Sequence, residues 1–274
     1  MFLRRGLVWL QSQVATAARN FLLSVLAAGP IPKHVGFVMD GNRRYARRKH
    51  QAVQQGHSEG FVALRRTLEI CLRLNIRCVS AYAFSSENFK RSAVEVSALM
   101  QLAEEKLVEL CNHGDLLNEY GVRLNVVGRT ELLPESVQKA IRQAEHLTRH
   151  NKRSILNLCM SYTSREEMTL AMETCVRDAT AQSYEDSYVV SITRYITEKE
   201  INSQLGISLG GSPPLDILVR TSGVKRLSDF MLWQCSEDTQ LQFSPAYWPD
   251  FGLFDFVPVI LDYQRRMMTK RLYA

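Results

Sequence analysis

One acidic residue, a glycine, an amide and two guanidinium groups stand together early in the chain. They are Asp40, Gly41, Asn42, Arg43 and Arg44, and they directly follow a short apolar run. A glycine lets the backbone approach a ligand closely, and a helix beginning here would offer free N–H groups to a phosphate. The arginines can hold phosphate oxygens bidentately, and a lone carboxylate suits a Mg²⁺ ion shared with a diphosphate. Taken alone, the motif fits equally well an aspartate that caps a helix and is followed by solvated arginines.

Two more segments rich in hydroxyl, amide and guanidinium groups follow predicted strands. Residues 85–91 read S-S-E-N-F-K-R, and residues 220–228 read R-T-S-G-V-K-R-L-S. Because the carboxyl ends of parallel strands meet at one edge of a sheet, three such segments indicate a single anion site. His57, just after Gly56 at a helix start, could bond a phosphate oxygen or move a proton, or could simply be a satisfied helix-start histidine.

Helical and strand patterns alternate along the chain. The predicted strands are 35–39, 78–84, 122–127, 155–160 and 215–219, with helical stretches between most of them. This alternation predicts an α/β fold with a mostly parallel sheet covered on both faces. Ser92, followed by Glu95, predicts a capping box at the start of a long helix. The apolar stripe of that helix, 96–110, is core by default, and beside a diphosphate site it would line an apolar cleft.

The composition predicts one large core and an anionic partner. The 274 residues are 46% hydrophobic and 23% charged, with a net charge of +6. This charge does not distinguish nucleic acid, anionic lipid and phosphorylated substrate. The six cysteines form no C-x-x-C pair, which favours buried free thiols in a reducing compartment. Cys111 and His113, two residues apart, come nearest to a metal-ligand pair, but two residues alone are a weak signal for a metal site.

The first 39 residues contain no Asp or Glu, and Arg4, Arg5 and Arg19 are interleaved with apolar side chains. This pattern predicts an amphipathic helix in residues 1–29. Its longest apolar run, 21–29, is far below the ~20 residues needed to span a bilayer. The helix would lie in a membrane interface, cap the core of the domain, or act as an organellar presequence, with the interfacial role ranked first.

Five ordered motifs resemble the signature regions of cis-prenyltransferases. They are H-V-G-F-V-M-D-G-N-R-R-Y-A from His34, G-H-S-E-G from Gly56, Y-A-F-S-S-E-N-F-K-R from Tyr82, R-T-S-G-x-x-R-L-S-D-F from Arg220 and W-P-D-F from Trp248. The resemblance is greatest to the eukaryotic dehydrodolichyl diphosphate synthase branch. Arg43 stands where bacterial undecaprenyl diphosphate synthases often carry glycine, and R-T-S-G replaces their R-T-G-G. The chain has no D-D-x-x-D motif, the metal site of the trans-prenyltransferases.

The resemblance implies a six-stranded, mainly parallel sheet flanked by helices, with an apolar tunnel for the growing chain. Residues 30–274 would form this catalytic domain, which joins isopentenyl diphosphate to farnesyl diphosphate and makes long polyprenyl diphosphates for dolichol synthesis. Asp40 would bind Mg²⁺ and assist departure of the allylic diphosphate, together with His57, while Ser85 and Asn88 lie near the reacting carbons. The substrate-binding residues implied by the resemblance are Gly41, Asn42, Arg43, Arg44, Phe89, Arg91, Arg220, Ser222, Arg226 and Ser228.

Three departures from the family pattern shape the expected assembly. Val53 occupies the place of an arginine that many relatives carry four residues before the histidine. Either Arg47, Arg48 or Lys49 compensates for it, or the affinity for substrate is lower. Gln240 stands at the position of a metal-binding glutamate of homodimeric bacterial enzymes, within a segment about one residue longer. The chain ends in residues 271–274 without the R-x-G motif of those enzymes.

By resemblance, an inert homologous subunit of the Nogo-B receptor type would supply the R-x-G motif. The heteromer would work at the cytosolic face of the endoplasmic reticulum membrane, through peripheral association. A non-catalytic subunit that binds prenyl diphosphates or membranes is the alternative function. A nucleic-acid partner is not expected, because no aromatic residues are interleaved with the basic ones in a stacking pattern.

Overall fold

A computed structural model describes residues 2–111, 116–185 and 195–273. The strands are β1 His34–Val38, β2 Cys78–Ser85, β3 Val122–Val127, β4 Ser154–Tyr162, β5 Ile217–Arg220 and β6 Gln240–Phe243. The helices are α1 Phe2–Ala27, α2 Asn42–Arg48, α3 Val53–Arg73, α4 Ala93–Cys111, α5 Leu116–Glu119, α6 Glu135–Thr148, α7 Ser164–Glu185, α8 Glu198–Gln204, α9 Gly206–Leu209 and α10 Leu253–Tyr273. Short 3₁₀ helices cover Ser86–Lys90, Thr130–Leu132 and Trp248–Asp250.

The six strands form one sheet in the order β3-β4-β2-β1-β5-β6, and every neighbouring pair is parallel. The predicted α/β class and strand number are confirmed. The five strands located from apolar runs begin and end within two residues of their predicted bounds. The sixth, Gln240–Phe243, was not located, because four residues with two glutamines at a sheet edge give little hydrophobic signal.

The strand order creates a switch point between β1 and β5. The chain leaves β1 toward β2 on one side and leaves β5 toward β6 on the other, although β1 and β5 are neighbours. In open parallel sheets, ligands bind in the crevice that such diverging connections leave at the carboxyl ends of the strands. The residues that follow β1 and β5 therefore stand where a ligand is expected.

Both faces of the sheet are covered, as a parallel sheet requires. The larger apolar cluster joins one face to helices α1, α3, α4, α6 and α10, with Phe37, Trp248 and Phe251 in mutual ring contact. The smaller cluster covers the other face, where Phe230 stacks on Tyr82 with ring centroids 4.4 Å apart.

Helix α1 has a buried side and an exposed side. Leu23 and Leu26 are buried in the larger cluster, and Gln264 of α10 donates to the Leu26 carbonyl at 2.7 Å. Phe21 and Val25 are more than half exposed on the same helix. None of the helices in the described ranges is long and apolar enough to cross a membrane. The partial burial agrees with core capping, while the role of residues 1–29 at a membrane stays a prediction.

The described cysteines carry free thiols, and four of them, Cys71, Cys78, Cys159 and Cys175, are buried. This confirms the prediction for these residues. The pair of Cys111 and His113 falls on side chains outside the described part of the chain.

Candidate active site

Asp40 lies at the switch point, held by residues from β5 and the loop after it. Its backbone N–H donates to the Thr221 hydroxyl at 2.9 Å, and Thr221 donates in turn to the Asp40 carbonyl at 2.8 Å. The buried Arg220 donates to Asp40 Oδ2 at 2.8 Å, and Arg44 lies 3.3 Å from Oδ1. Two arginines from different elements therefore fix the carboxylate on both of its oxygens.

The Asp40 carboxylate is ionised at neutral pH. Its partial burial would raise its pKa, but hydrogen bonds from Arg220 and Ser222 and the charges of Arg220 and Arg44 outweigh burial and lower the pKa. Its side chain keeps 29% of its surface exposed. An ionised, reachable oxygen ligand of this kind is what a hard divalent cation requires.

Gly41 is required by its own conformation and by its neighbour. Its φ of 111° is one that residues with a side chain rarely adopt, and a Cβ atom there would lie 2.9 Å from Tyr247 Cδ1. Tyr247 also lies under the Arg44 guanidinium, with 5.4 Å between the carbon and the ring centroid. Arg44 donates to Ser222 Oγ at 2.6 Å. Three of the predicted substrate-binding residues, Gly41, Arg44 and Ser222, are thus fixed by contacts within the protein.

Glu95 fulfils half of the capping box predicted for it and contacts three predicted site residues as well. Its backbone N–H donates to Ser92 Oγ at 3.3 Å, as the capping box predicts, but its carboxylate is used elsewhere. Instead Oε1 receives a hydrogen bond from Arg91 at 2.9 Å and lies 3.4 Å from His57 Nε2, while Oε2 lies 3.8 Å from Arg43. Only the tertiary structure shows that this carboxylate organises three predicted site residues.

His57 lies on the fifth position of α3, with 11% of its side chain exposed. Burial and the charge of Arg91 lower its pKa, and this effect exceeds the opposite effect of Glu95. The imidazole is therefore neutral at neutral pH and can accept or donate one hydrogen bond.

A pocket of about 410 Å³ opens in front of Asp40. Eight predicted site residues line it: Asp40, Gly41, Asn42, Arg43, Arg44, His57, Arg91 and Arg226. Arg47 and Val224 complete the lining. Five arginines facing one lining carboxylate make the pocket strongly positive and suited to a diphosphate group.

Arg220 anchors the loop after β5 through hydrogen bonds. This buried arginine donates to the Arg226 carbonyl at 2.6 Å and to Ser228 Oγ at 2.7 Å, in addition to Asp40. Ser222 and Ser228 have positive φ angles of 76° and 52°. The side chain of Arg226 stays exposed in the pocket while its backbone is fixed.

Ser85, Asn88 and Phe89 lie beside this pocket rather than in its lining. Ser85 and Asn88 form a reciprocal capping box on Ser86–Lys90, with Glu87 N–H donating to Ser85 Oγ and Ser85 N–H donating to Asn88 Oδ1, both at 3.2 Å. Phe89 packs edge-on against Phe84 at 4.9 Å. The turn delivers Arg91, whose N–H donates to the Asn88 carbonyl, into the pocket.

A smaller apolar pocket of about 130 Å³ lies behind, between the sheet and helices α3 and α4. Asn42 and His57 line both pockets and mark their junction. The apolar lining includes Phe61, Leu64, Met100, Leu107, Leu110 and Trp248. The pocket stands where the tunnel is predicted, but it is smaller than the ~300 Å³ of ordinary ligand cavities, so the tunnel itself stays a prediction.

The W-P-D-F segment has a structural part in the site. Trp248 N–H donates to the Asp40 carbonyl at 3.0 Å, and its indole donates to the Gly60 carbonyl at 2.7 Å. Asp250 accepts a hydrogen bond from Arg48. The buried tryptophan thereby ties the turn that carries Asp40 to helix α3.

The described side chains do not form a complete metal-binding site around Asp40. Within the described ranges, no group of three or more His, Cys, Asp or Glu side chains is placed to hold a metal ion. Gln240 pairs with Ile217, three residues before Arg220 along β5, which places it roughly 10 Å from the strand ends that hold Asp40. The donor set fits an ion held by Asp40 together with diphosphate oxygens.

The fold thus places a strongly basic pocket at the switch point of a parallel sheet, with an apolar pocket behind it. A profile of the prenyltransferase family described as putative undecaprenyl diphosphate synthase matches residues 38–271. The chain belongs to this family.

Named relatives and a solved structure agree with this assignment. A dehydrodolichyl diphosphate synthase complex subunit of Schizosaccharomyces pombe is 41% identical over 94% of this chain and 93% of its own length. The dehydrodolichyl diphosphate synthase complex subunit DHDDS of Homo sapiens is 39% identical over 93% of this chain and 74% of its own length. The crystal structure of lavandulyl diphosphate synthase from Lavandula x intermedia, in complex with dimethylallyl diphosphate, superposes with a TM-score of 0.73 at 30% identity, covering 85% of this chain and 95% of that one.

Proposed function

We propose that the chain is the catalytic subunit of a cis-prenyltransferase that extends farnesyl diphosphate with isopentenyl diphosphate units to a dehydrodolichyl-length product. The observation that carries the proposal is the convergence of Asp40, Arg91 and Arg226, from three separate loops, on one pocket that adjoins an apolar one. The names of the relatives support the same product class.

In each cycle, a bond forms between C4 of isopentenyl diphosphate and C1 of the allylic substrate. The C1–O bond breaks and releases diphosphate, and a proton leaves C2 of the isopentenyl unit. Arg43, Arg44 and Arg91 would hold the departing diphosphate, where positioned cations stabilise the charge that develops on it. Arg220, Arg226 and Ser228 would hold the diphosphate of isopentenyl diphosphate. Ser85 and Asn88 would bound the side on which the new bond forms.

Asp40 would bind Mg²⁺ jointly with the oxygens of the allylic diphosphate. The bound ion would offset the charge of the leaving group. Arg220 and Arg44 keep the Asp40 carboxylate ionised for this task. His57, which is neutral and lies at the junction of the two pockets, would donate one hydrogen bond to a diphosphate oxygen.

Two features of the working assembly belong to the same proposal. The relatives are named as complex subunits, which supports a heteromer with a homologous inert partner that completes the site through an R-x-G motif. The exposed apolar side chains of α1, Val14, Phe21 and Val25, support peripheral association with the endoplasmic reticulum membrane from its cytosolic face.

The test is a synthase assay on the chain purified together with its native partner. Labelled isopentenyl diphosphate, farnesyl diphosphate and Mg²⁺ should give a lipid-extractable polyprenyl product. Asp40→Ala should lower kcat by about 100-fold or more, as loss of a group that stabilises developing charge does. Arg142→Ala, on the exposed side of α6, is the control and should retain activity. Absence of any polyprenyl product, or full activity of Asp40→Ala, would refute the proposal.

A further inference from the structure

The edge of the sheet opposite the candidate active site carries a cavity that the proposed reaction does not use. Its volume is about 490 Å³. The basic members of its lining are Lys33, Arg77, Arg123, Lys152 and Arg153. Among the described residues, the lining contains no Asp or Glu, so the cavity presents five positive charges with none of the opposite sign.

These basic residues stand at the amino ends of four neighbouring strands: Lys33, Arg77, Lys152 and Arg153 just before β1, β2 and β4, and Arg123 as the second residue of β3. Arg77 N–H donates to the Lys33 carbonyl at 3.1 Å, and Ile155 N–H donates to the Arg77 carbonyl at 2.8 Å. Arg153 N–H donates to the Gly121 carbonyl at 3.0 Å, one residue before β3. Adjacent strands lie roughly 4.8 Å apart, so backbone pairing brings the Cα atoms of these residues into one row along the amino ends of the strands.

The cations of the row have no acidic partners in the part of the chain that the structure describes. The neighbouring carboxylate, Asp216, accepts the backbone N–H groups of Lys33 and His34 at 2.6 and 3.0 Å through one oxygen. Arg123 donates to the Gly210 carbonyl, and its Nε is buried without a hydrogen-bond partner. Positive charges that line one cavity repel one another unless an anion lies among them.

We infer that this cavity is a second anion site, which binds a phosphate-bearing ligand of two or more negative charges. Ser212 in the lining accepts a hydrogen bond from Asn157 at 2.8 Å and keeps its own hydroxyl hydrogen to donate to a ligand oxygen. The ligand is a free oligophosphate or the phosphate of a lipid headgroup. The second source is reachable because α1 leads directly, through residues 28–33, into Lys33 at the mouth of the cavity.

The test variant is Arg77→Gln/Lys152→Gln, because both side chains are exposed. The control is Lys139→Gln/Arg142→Gln, which removes two exposed charges from α6. Each is studied in the intact complex without Mg²⁺. Inorganic tripolyphosphate is titrated by calorimetry, and binding to phosphatidylcholine vesicles with and without phosphatidic acid is measured by flotation.

With tripolyphosphate, the wild type should show two binding sites. Arg226→Gln should weaken the active-site one, and Arg77→Gln/Lys152→Gln should weaken the other by about tenfold or more, since charged hydrogen bonds are lost. If the test variant loses binding only to vesicles that contain phosphatidic acid, the ligand of this second site is the phosphate of a lipid headgroup. If the test variant matches the control in both measurements, the inference is wrong, and the cations only offset the carbonyl ends of helices α3 and α6. Synthase activity assayed in parallel separates this result from failure of the proposed function.

Discussion

Arg47 contributes a guanidinium group to the pocket in front of Asp40, where the first residue of α3, Val53, has none to offer. The family pattern predicted an arginine at the position of Val53, with Arg47, Arg48 or Lys49 as replacements. The structure places Arg47 in the pocket lining, while Arg48 pairs with Asp250 and lies over the Tyr247 ring. Lys49 lies over the Tyr45 ring, with 4.8 Å between Nζ and the ring centroid. Of the three candidates, Arg47 is therefore the one that lines the pocket.

Replacing Arg47 should weaken substrate binding more than it slows the chemical step. Arg47→Ala should raise KM for the allylic diphosphate about tenfold with kcat little changed, because one charge-assisted hydrogen bond is lost. Val53→Arg in the same chain should recover most of the affinity. Initial-rate kinetics on the complex measure both, with Arg142→Ala as control. An unchanged KM in Arg47→Ala would show that Arg47 does not touch the substrate.

At the scale of elements, two glycines in α3 allow α2 to pack closely against α3, and this packing places the side chains of α2 in the pocket. A Cβ atom on Gly56 would lie 2.5 Å from the Asn42 carbonyl oxygen, and one on Gly60 would lie 2.6 Å from Asn42 Oδ1. The G-H-S-E-G motif is thus a packing surface for the first residue of α2 as well as the carrier of His57.

Gly56→Ala should lower the free energy of unfolding by about 1–3 kcal/mol, since backbone atoms must move to admit the methyl group. Because α2 also carries Arg43 and Arg44, KM for the allylic diphosphate should rise. Gly252→Ala is the matched control, with its nearest neighbour 3.8 Å from the added Cβ, and should change stability by no more than about 0.5 kcal/mol. Urea unfolding measures both variants, and equal stabilities would contradict the packing argument.

At the scale of the whole molecule, His34 couples stability to pH. Its Nδ1 lies 2.8 Å from the Pro213 carbonyl, so this nitrogen carries the proton, and Nε2 accepts from Ser80 at 2.8 Å. Burial lowers the pKa of His34 from 6.5 to about 4, against the raising effect of the Pro213 bond. The unfolded chain therefore binds a proton at higher pH than the folded one, and stability falls as the pH drops through this window.

Between about pH 7.5 and pH 5, this residue should lower the free energy of unfolding by about 2 kcal/mol. Urea unfolding at the two pH values measures the total change, and an NMR titration of the His34 ring assigns its share. A His34 ring that titrates near its ordinary pKa in the folded protein would contradict the prediction.

The proposed membrane association would also depend on the whole surface. Phe21 and Val25 expose 72% and 54% of their area on α1. Phe21→Asp/Val25→Asp should reduce vesicle flotation of the complex several-fold, because about 25 cal/mol is lost for each Å² of apolar area kept from lipid. Val62→Asp, with 59% exposure on α3, is the control. Equal flotation of both variants would place the lipid contact elsewhere.

The amino-acid sequence by itself determined the class of fold and the edge of the sheet that carries the chemistry. Apolar runs and helical periodicity depend on local spacing, and the rule that loops gather at the carboxyl ends of parallel strands needs no coordinates. Asp40, Arg91 and Arg226 were predicted on this basis and lie in one pocket.

Only the tertiary structure decided which groups contact one another. The carboxylate of Glu95 satisfied a local capping pattern in the sequence, yet it bonds Arg91 from the same segment and lies near His57 from a different helix. The row of cations at the amino ends of the strands could not be recognised in the sequence either, because Lys33, Arg77 and Arg153 are far apart in the chain. Strand pairing alone brings them together, and pairing between distant segments has no local signature.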